Sequence, residues 1–334
     1  MFLLSASFEF FKGIFSVTDV PRRFSGAVIE HSTMVLHGFA QKTVFQQKME
    51  AGLFEVFEHQ VICKARELDV LPTPSKPSFH LHISLDKTNV DAFVNGTDNV
   101  ELKKEELNLF YLEAVNVAII PKGKHCFFHI SFNNDTLFYV LKQSRFRKLH
   151  ADIRQKVEEA QKNKGGMINA PRQVVLDAYF MMLIQDIRSC CFNELATIFY
   201  REKKSMLMLE HFMRQLLPQK KNRIEVTADD VILLDSVKKY IKLYVDRPLT
   251  LQFLAQRFNI SADLLAKSFL QLNGISVNHF IHLYRMESAA GFLAIQDIPL
   301  NDIPPLVGYK SFKSFAAAFT KYFNCSPFLF RYPL

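Results

Sequence analysis

Leu249-Thr-Leu-Gln-Phe-Leu-Ala-Gln-Arg-Phe-Asn-Ile-Ser261, followed by Ala262-Asp-Leu-Leu-Ala-Lys-Ser-Phe269, is the stretch that decides the reading of this chain. A run of the same kind recurs about 50 residues later. It reads Leu300-Asn-Asp-Ile-Pro-Pro-Leu-Val-Gly-Tyr-Lys-Ser-Phe312, then Lys313-Ser-Phe-Ala-Ala-Ala-Phe-Thr-Lys-Tyr-Phe-Asn-Cys-Ser-Pro327. In each, a short apolar-periodic helix enters a tight turn and a second helix follows. Such a pair lets the second helix lie in a DNA major groove while the first braces it across the backbone.

Local chemistry sets the predicted boundaries. Thr250 caps a helix whose buried face is Leu251, Leu254, Ala255 and Phe258. Asn259 supplies the left-handed turn, and Ser261 caps the next helix, with Leu264, Leu265, Phe269 and Leu272 inward and Gly274 at its end. Ser276 caps a long connecting helix carrying Phe280, Ile281, Tyr284, Met286, Ala289, Phe292 and Leu293. The final long helix carries Phe312, Phe315, Phe319 and Phe323, and Asn324 follows it. Upstream, Leu233, Val237, Ile241 and Tyr244 mark an opening helix that Pro248 terminates. The expectation is an all-α domain over residues 230–334, of seven or so helices, with β structure confined to residues before about 145.

Working outward, 334 residues allow two or three domains, and 49% hydrophobic content is that of a globular chain. No run of 18 apolar residues suggests a membrane span, and the opening residues lack the basic start of a signal peptide. Cys63, Cys126, Cys190, Cys191 and Cys325 show no metal-type spacing, so reduced thiols and a cytoplasmic location are expected. Vicinal Cys190-Cys191 reads as helix-face packing ahead of redox sensing. Of the net charge of +8, residues 142–223 carry 17 Lys and Arg against 8 Asp and Glu, whereas residues 224–334 carry 11 against 9. The helix-turn-helix region is thus only weakly basic for a domain that neutralises phosphates.

Residues 24–141 read as mainly β, from Val28-Ile29-Glu30-His31, Phe79 to Leu85, Ala118-Ile-Ile120 and Phe127 to Phe132. Turn groups separate them at Pro72-Thr-Pro74, Lys76-Pro77, Asn95-Gly96 and Pro121-Lys-Gly123, which suggests a small barrel or sandwich. From about residue 146 the pattern turns helical: a charged helix to residue 161, a helix opened by Pro171, and a third burying Leu195, Ile198, Phe199, Leu209, Phe212, Met213 and Leu216. Their wide, Met-rich faces suit packing within the chain or dimerisation equally. Pro218-Gln-Lys-Lys-Asn-Arg223 reads as an exposed basic linker.

Gly308-Tyr309, the Phe-rich helix 312–323, Ser326-Pro327 and the closing Arg331 resemble the DNA-binding domain of the AraC-type bacterial transcription regulators. Residues 105–145, through Leu107-Asn-Leu-Phe-Tyr-Leu112, Ile120-Pro-Lys-Gly-Lys-His125 and Phe127-Phe-His-Ile-Ser-Phe132, are similar to the sensor domains of Bacteroidetes-type members. The resemblance implies an α+β chain: a cupin-like β-barrel effector domain over 1–145, a helical linker or dimerisation segment over 146–217, a basic linker over 218–229, and the tandem helix-turn-helix domain over 230–334. It also implies double-stranded DNA and a small-molecule effector as partners, with a homodimer and RNA polymerase as further ones. No enzyme activity, cofactor or membrane partner is expected.

Candidate DNA contacts are Asp263, Ala266, Lys267 and Gln271 in the first unit, and Lys310, Lys313, Ser314, Ala317 and Lys321 in the second. Lys267 stands where the family usually places a base-reading Arg; lysine reaches guanine acceptors but lacks the two-pronged guanidinium. Asp263 could accept from a cytosine amine, although an Asp at a helix start more often serves the helix dipole. Ala317 stands where a polar reader is common, which leaves Lys310 and Lys313 as base contacts and Lys321 near phosphates. Pro304-Pro305 departs from the family's helical residues there. In a helix interior each would cost about 3 kcal/mol, but a first turn accepts them, with Asp302 as the expected N-cap.

Two other functions compete. The proline pair and the scarcity of Arg readers suit an effector-binding or dimerising protein whose DNA affinity has decayed. His80, His82, His125 and His129, with Glu113, have spacings that suit a metal-binding cupin, although alternating strand histidines are more often structural. No phosphate-binding Gly loop, nucleophile elbow or HExxH is present to support other enzyme classes.

Overall fold

A computed structural model describes residues 29–38, 42–65, 67–71, 77–85, 89–94, 98–113, 116–190, 192–218 and 228–332. The expected strand at Val28 and the turns at Pro72-Thr-Pro74 and Asn95-Gly96 fall wholly or partly outside these residues, as do Lys76, Cys191 and the basic linker beyond Pro218. The chain divides into two compact units, Met1–Leu176 with Phe212–Leu217, and Asp177–His211 with Pro218–Leu334. No helix among the described residues is long and apolar enough to cross a membrane.

Among the described residues the first unit holds ten strands before its first helix: β1 Ser32–Gly38, β2 Lys42–Ala51, β3 Phe54–Cys63, β4 Glu67–Leu71, β5 Ser78–Ser84, β6 Val90–Val94, β7 Asp98–Leu102, β8 Glu106–Leu112, β9 Asn116–Ile120 and β10 Gly123–Phe132. They are followed by helices α1 Asn134–Leu141 and α2 Arg147–Lys162, then short strands β11 Gly165–Met167 and β12 Val174–Val175. One antiparallel sheet runs β1-β2-β3-β10-β5-β8-β11, with β12 also against β8, and a second runs β4-β9-β6-β7. Val44, Val61, Cys63, Phe110, Leu112 and Phe127 of the first sheet share a core with Val90, Leu102 and Ile120 of the second. Two facing sheets with an apolar filling are the sandwich solution. Among the described residues the larger sheet ends on β1 and on β11 and does not close into the expected barrel.

Three expectations for this region change. Ile29-Glu30-His31 is not a strand: His31 has φ +50° and the first strand begins at Ser32. β structure extends past residue 145, because Gly165–Met167 and Val174–Val175 pair with β8 after α2 has turned back. Pro171 opens no helix, since the chain re-enters the sheet at Val174 and the next helix is capped instead by the Asp177 carboxylate, which accepts from the Tyr179 and Phe180 amides.

The second unit contains α3 Ala178–Ser189, most of α4 Glu194–Leu216, α5 Ala228–Leu243, α6 Leu251–Arg257, α7 Ala262–Asn273, α8 Val277–Ala294, α9 Ile303–Leu306, α10 Phe312–Phe323 and α11 Pro327–Arg331. Among the described residues the C-terminal part has seven α-helices and no strand, as its periodicity predicted. Leu254, Ala255, Leu265 and Phe269 are buried in the first helix-turn-helix; Ile303, Val307, Phe315, Phe319 and Phe323 are buried in the second. Leu264 and Phe312, assigned to inner faces, are instead 38% and 36% exposed. Each sits in the first turn of its helix.

Candidate nucleic-acid interface

The two recognition helices, α7 and α10, are built on one plan offset by 50 residues, and each is 12 residues long. Ser261 and Ser311 cap them, accepting from the Leu264 and Ser314 amides. Gly274 (φ +69°) and Asn324 (φ +59°) end them in the left-handed region that L side chains rarely enter, asparagine excepted. Ser276 and Ser326 then cap the helices that follow, accepting from His279 and Leu329. Thr250 caps α6 through the Phe253 amide, and Asn259 (φ +52°) makes the turn into α7. Thr250, Asn259, Ser261, Gly274, Ser276 and Asn324 are the cap and turn positions that the sequence marked, whereas the caps at Ser311 and Ser326 were not read from it.

Two arginines fix the connecting helix α8, Arg331 at its C-terminal end and Arg285 from its middle. Arg331 is 5% exposed, and its guanidinium donates to the carbonyls of Leu293 (2.9 Å), Ile298 (2.6 Å) and Phe292 (3.2 Å). It thereby satisfies carbonyls at and beyond the C-terminus of α8, adding to the Ile295 amide that already donates to Phe292. Arg285, on α8, donates to the carbonyls of Val245 (3.3 Å) and Arg247 (2.7 Å), just past α5. The same guanidinium lies against Gly308, in the turn that leads to α10. One side chain therefore joins the segment between α5 and α6 to the turn of the second unit.

The proline pair occupies the first turn of α9, a single-turn helix preceded by a 3₁₀ turn at Leu300–Asp302. Asp302 takes the N-cap position, but its side chain makes no capping hydrogen bond, contrary to expectation. The prolines leave it little to cap, because neither has an amide hydrogen. Ile303 and Pro304 are buried, so the short helix is held by packing.

All nine proposed contact residues lie on α7, α10 or the turn before α10. Asp263, Lys267, Gln271, Lys310, Lys313, Ser314, Ala317 and Lys321 are exposed, and Ala266 is partly so. Lys267 forms an ion pair with Asp263 one turn earlier, at 2.5 Å. The one lysine on the first helix's outer face is thus matched by a carboxylate. Among the described residues Lys310, Lys313 and Lys321 pair with no carboxylate, so the second helix carries the net positive face. Ser314 is partly used locally, its hydroxyl donating to the Ser311 carbonyl at 3.0 Å.

In the first unit, three of the histidines singled out by spacing, His80, His82 and His129, lie together, and His125 lies apart. His82 lies across from His129 on one side and Asn108 on the other, and His129 faces Phe57. His59, which the sequence reading missed, stacks on His129 with ring centroids 4.8 Å apart. His80 lies 5.8 Å from His129. His125 turns away to the Pro121 carbonyl (2.8 Å), while Glu113 is 3.5 Å from the Tyr111 hydroxyl. Among the described residues no group of three or more His, Cys, Asp or Glu is arranged to hold a metal ion. Burial pushes His80 and His82 down to about 4, Glu55 opposing at His80 and His80 reinforcing at His82. Burial, reinforced by His59, His80 and His82, pushes His129 well below the usual imidazole range. Among the described residues His82 Nε2, Asn108 Nδ2 and Ser84 Oγ, all on this face, have no hydrogen-bond partner.

Residues 254–332 match the family model described as a helix-turn-helix domain. The curated "Uncharacterized HTH-type transcriptional regulator YfiF" of Bacillus subtilis (strain 168) is 30% identical over 114 residues, 34% of this chain and 35% of that protein. This chain thus matches about a third of that relative's length. Among solved structures, the C-terminal domain of AraT, a response regulator from Geobacillus stearothermophilus, is 29% identical; the match covers 32% of this chain and 87% of that one, with a TM-score of 0.29. ToxT from Vibrio cholerae, crystallised with an unsaturated fatty acid, is 10% identical over 83% of this chain and 94% of its own, with a TM-score of 0.31. Residues 254–332 of this chain are therefore a helix-turn-helix domain.

Proposed function

We propose that this chain is a sequence-specific DNA-binding transcription regulator controlled by a small molecule held in its N-terminal unit. The observation that carries the reading is the repeated frame of α7 and α10. Two helices with the same serine N-cap, the same left-handed stop and the same length, joined through one connecting helix, present exposed polar residues. That arrangement suits reading two neighbouring major-groove segments. In the proposed interface Lys267 and Gln271 contact bases from the first unit, and Lys310 and Lys313 from the second, with Lys321 at phosphates.

Effector control is supported by the polar face inside the two-sheet unit. Unpartnered buried donors and acceptors cost free energy unless something satisfies them. His82, Asn108 and Ser84 offer such atoms beside an apolar core, the combination a cupin-like sensor uses to orient a small ligand. The Asp263–Lys267 pair favours a second reading, an effector-binding protein that has lost DNA affinity. Selecting bound duplexes from randomised DNA, with and without candidate metabolites, separates the two: enrichment of one motif supports the regulator, and recovery of unselected sequence supports the alternative.

A further inference from the structure

Four helices of the second unit meet at one buried lysine. Lys204 of α4 has no exposed surface, and its ammonium contacts Asp186 of α3 at 2.7 Å and Glu287 of α8. Glu287 also accepts from the Tyr200 hydroxyl of α4 and, at 3.4 Å, from the Tyr322 hydroxyl of α10. Burial opposes the charge on Lys204, but the two carboxylates outweigh it and hold the ammonium above its usual range. Burial likewise raises both tyrosine hydroxyls, which therefore stay protonated and act as donors.

The surrounding contacts follow the same route. Tyr200 stacks on Phe323 of α10 at 5.9 Å, Phe192 meets Phe330 of α11 at 5.4 Å, and Asn193 donates to the Phe330 carbonyl. At the other end of the same helix pair, His211 hydrogen-bonds Asp177 at 2.7 Å. Its ring lies 2.5 Å from where a Cβ on Gly274, the cap of α7, would stand. One helix pair therefore touches the end of the first recognition helix and the body of the second.

We infer that α3 and α4 form the backing plate of the DNA-reading unit, and that Lys204 is a positioning residue fixing α10 relative to α7 through Glu287. The inference rests on the DNA-binding reading for its purpose, though not for its test. A cation buried between two carboxylates is a poor source of stability compared with apolar packing, but it fixes a single register, because displacement leaves charges unpaired. Two helices that read adjacent groove segments need that fixed spacing.

The test uses the full chain with spin labels on non-canonical residues at positions 266 and 317, and reads the label-to-label distance distribution without DNA. The wild-type chain should give one narrow distribution. Lys204→Met should broaden it or shift it by several ångström, and Tyr322→Phe, which keeps the ring and removes one donor, should do so less. An unaltered distribution in whichever of the two variants folds overturns the inference, even if melting temperature falls. In a second arm, a duplex selected from random sequence on the wild-type chain should bind Lys204→Met roughly tenfold more weakly. Footprint protection should be lost over one of the two segments, whereas a merely structural role weakens both alike. If the wild-type chain selects no duplex, the DNA-binding reading fails while the distances still decide the positioning role.

Discussion

The Arg285 guanidinium fills the space that a side chain on Gly308 would need, with Nη2 2.7 Å and Cζ 2.8 Å from the position of the missing Cβ. Gly308 also holds φ +78°, which disfavours any L side chain. Gly308→Ala should therefore combine backbone strain with a displaced guanidinium, and so loosen both Arg285 hydrogen bonds. A loss of about 2–4 kcal/mol is expected, measured by chemical denaturation. A fall below about 0.5 kcal/mol would show that Arg285 swings aside at no cost.

The Asp263–Lys267 pair restrains the first recognition helix chemically. Both side chains are more than half exposed, so the pair adds little to stability. Asp263→Asn should leave the melting temperature nearly unchanged while raising DNA affinity several-fold, because Lys267 no longer exchanges one anion for another. Weaker binding would instead mark Asp263 as a base acceptor.

Lys267→Ala and Lys321→Ala should differ in kind. The first should cost about 1–3 kcal/mol of specific binding and relax preference at one base position. The second should weaken all sequences alike and reduce the salt slope by about one. Binding to a panel of single-base variants of a selected duplex distinguishes them.

The buried imidazoles of the first unit make its stability depend on acidity. His80 and His82 titrate near 4 when folded against 6.5 when unfolded. Their contribution is complete above 6.5 and is lost as pH falls toward 4, since the unfolded chain takes up protons first. The loss at the low end is on the order of 2–3 kcal/mol for each. Unfolding followed between pH 7 and pH 4 should show this decline, and His82→Gln should flatten it. A wild-type curve flat over that range would mean that folded and unfolded imidazoles take up protons alike, so that burial does not depress them.

The helix-turn-helix frame was legible because short-range chemistry specifies it. Thr250, Ser261, Gly274, Ser276 and Asn324 act on amides or dihedral angles within a few residues of themselves. The β2–β3 hairpin escaped notice because Lys42–Ala51 and Phe54–Cys63 mix polar residues into buried positions: Gln47 and Glu58 are buried on strands that have sheet neighbours on both sides. Pro171 misled because proline opens helices and ends loops equally well, and only the distant pairing of Val174 with Leu107 decides between them. Lys204, Glu287, Arg285 and Arg331 gave no sequence signal as a set. Their partners are 18 to 83 residues away for Lys204 and 33 to 39 for Arg331, distances at which no periodicity speaks.

The central claim, that α7 and α10 together engage DNA, is tested most directly by the salt dependence of wild-type binding to a duplex selected from random sequence. With Lys267, Lys310, Lys313, Lys321 and backbone amides at phosphates or bases, log K should fall against log salt with a slope of about −4, with protection over two successive major-groove segments. A slope near −1 with a single protected segment, or no selectable duplex at all, would contradict it.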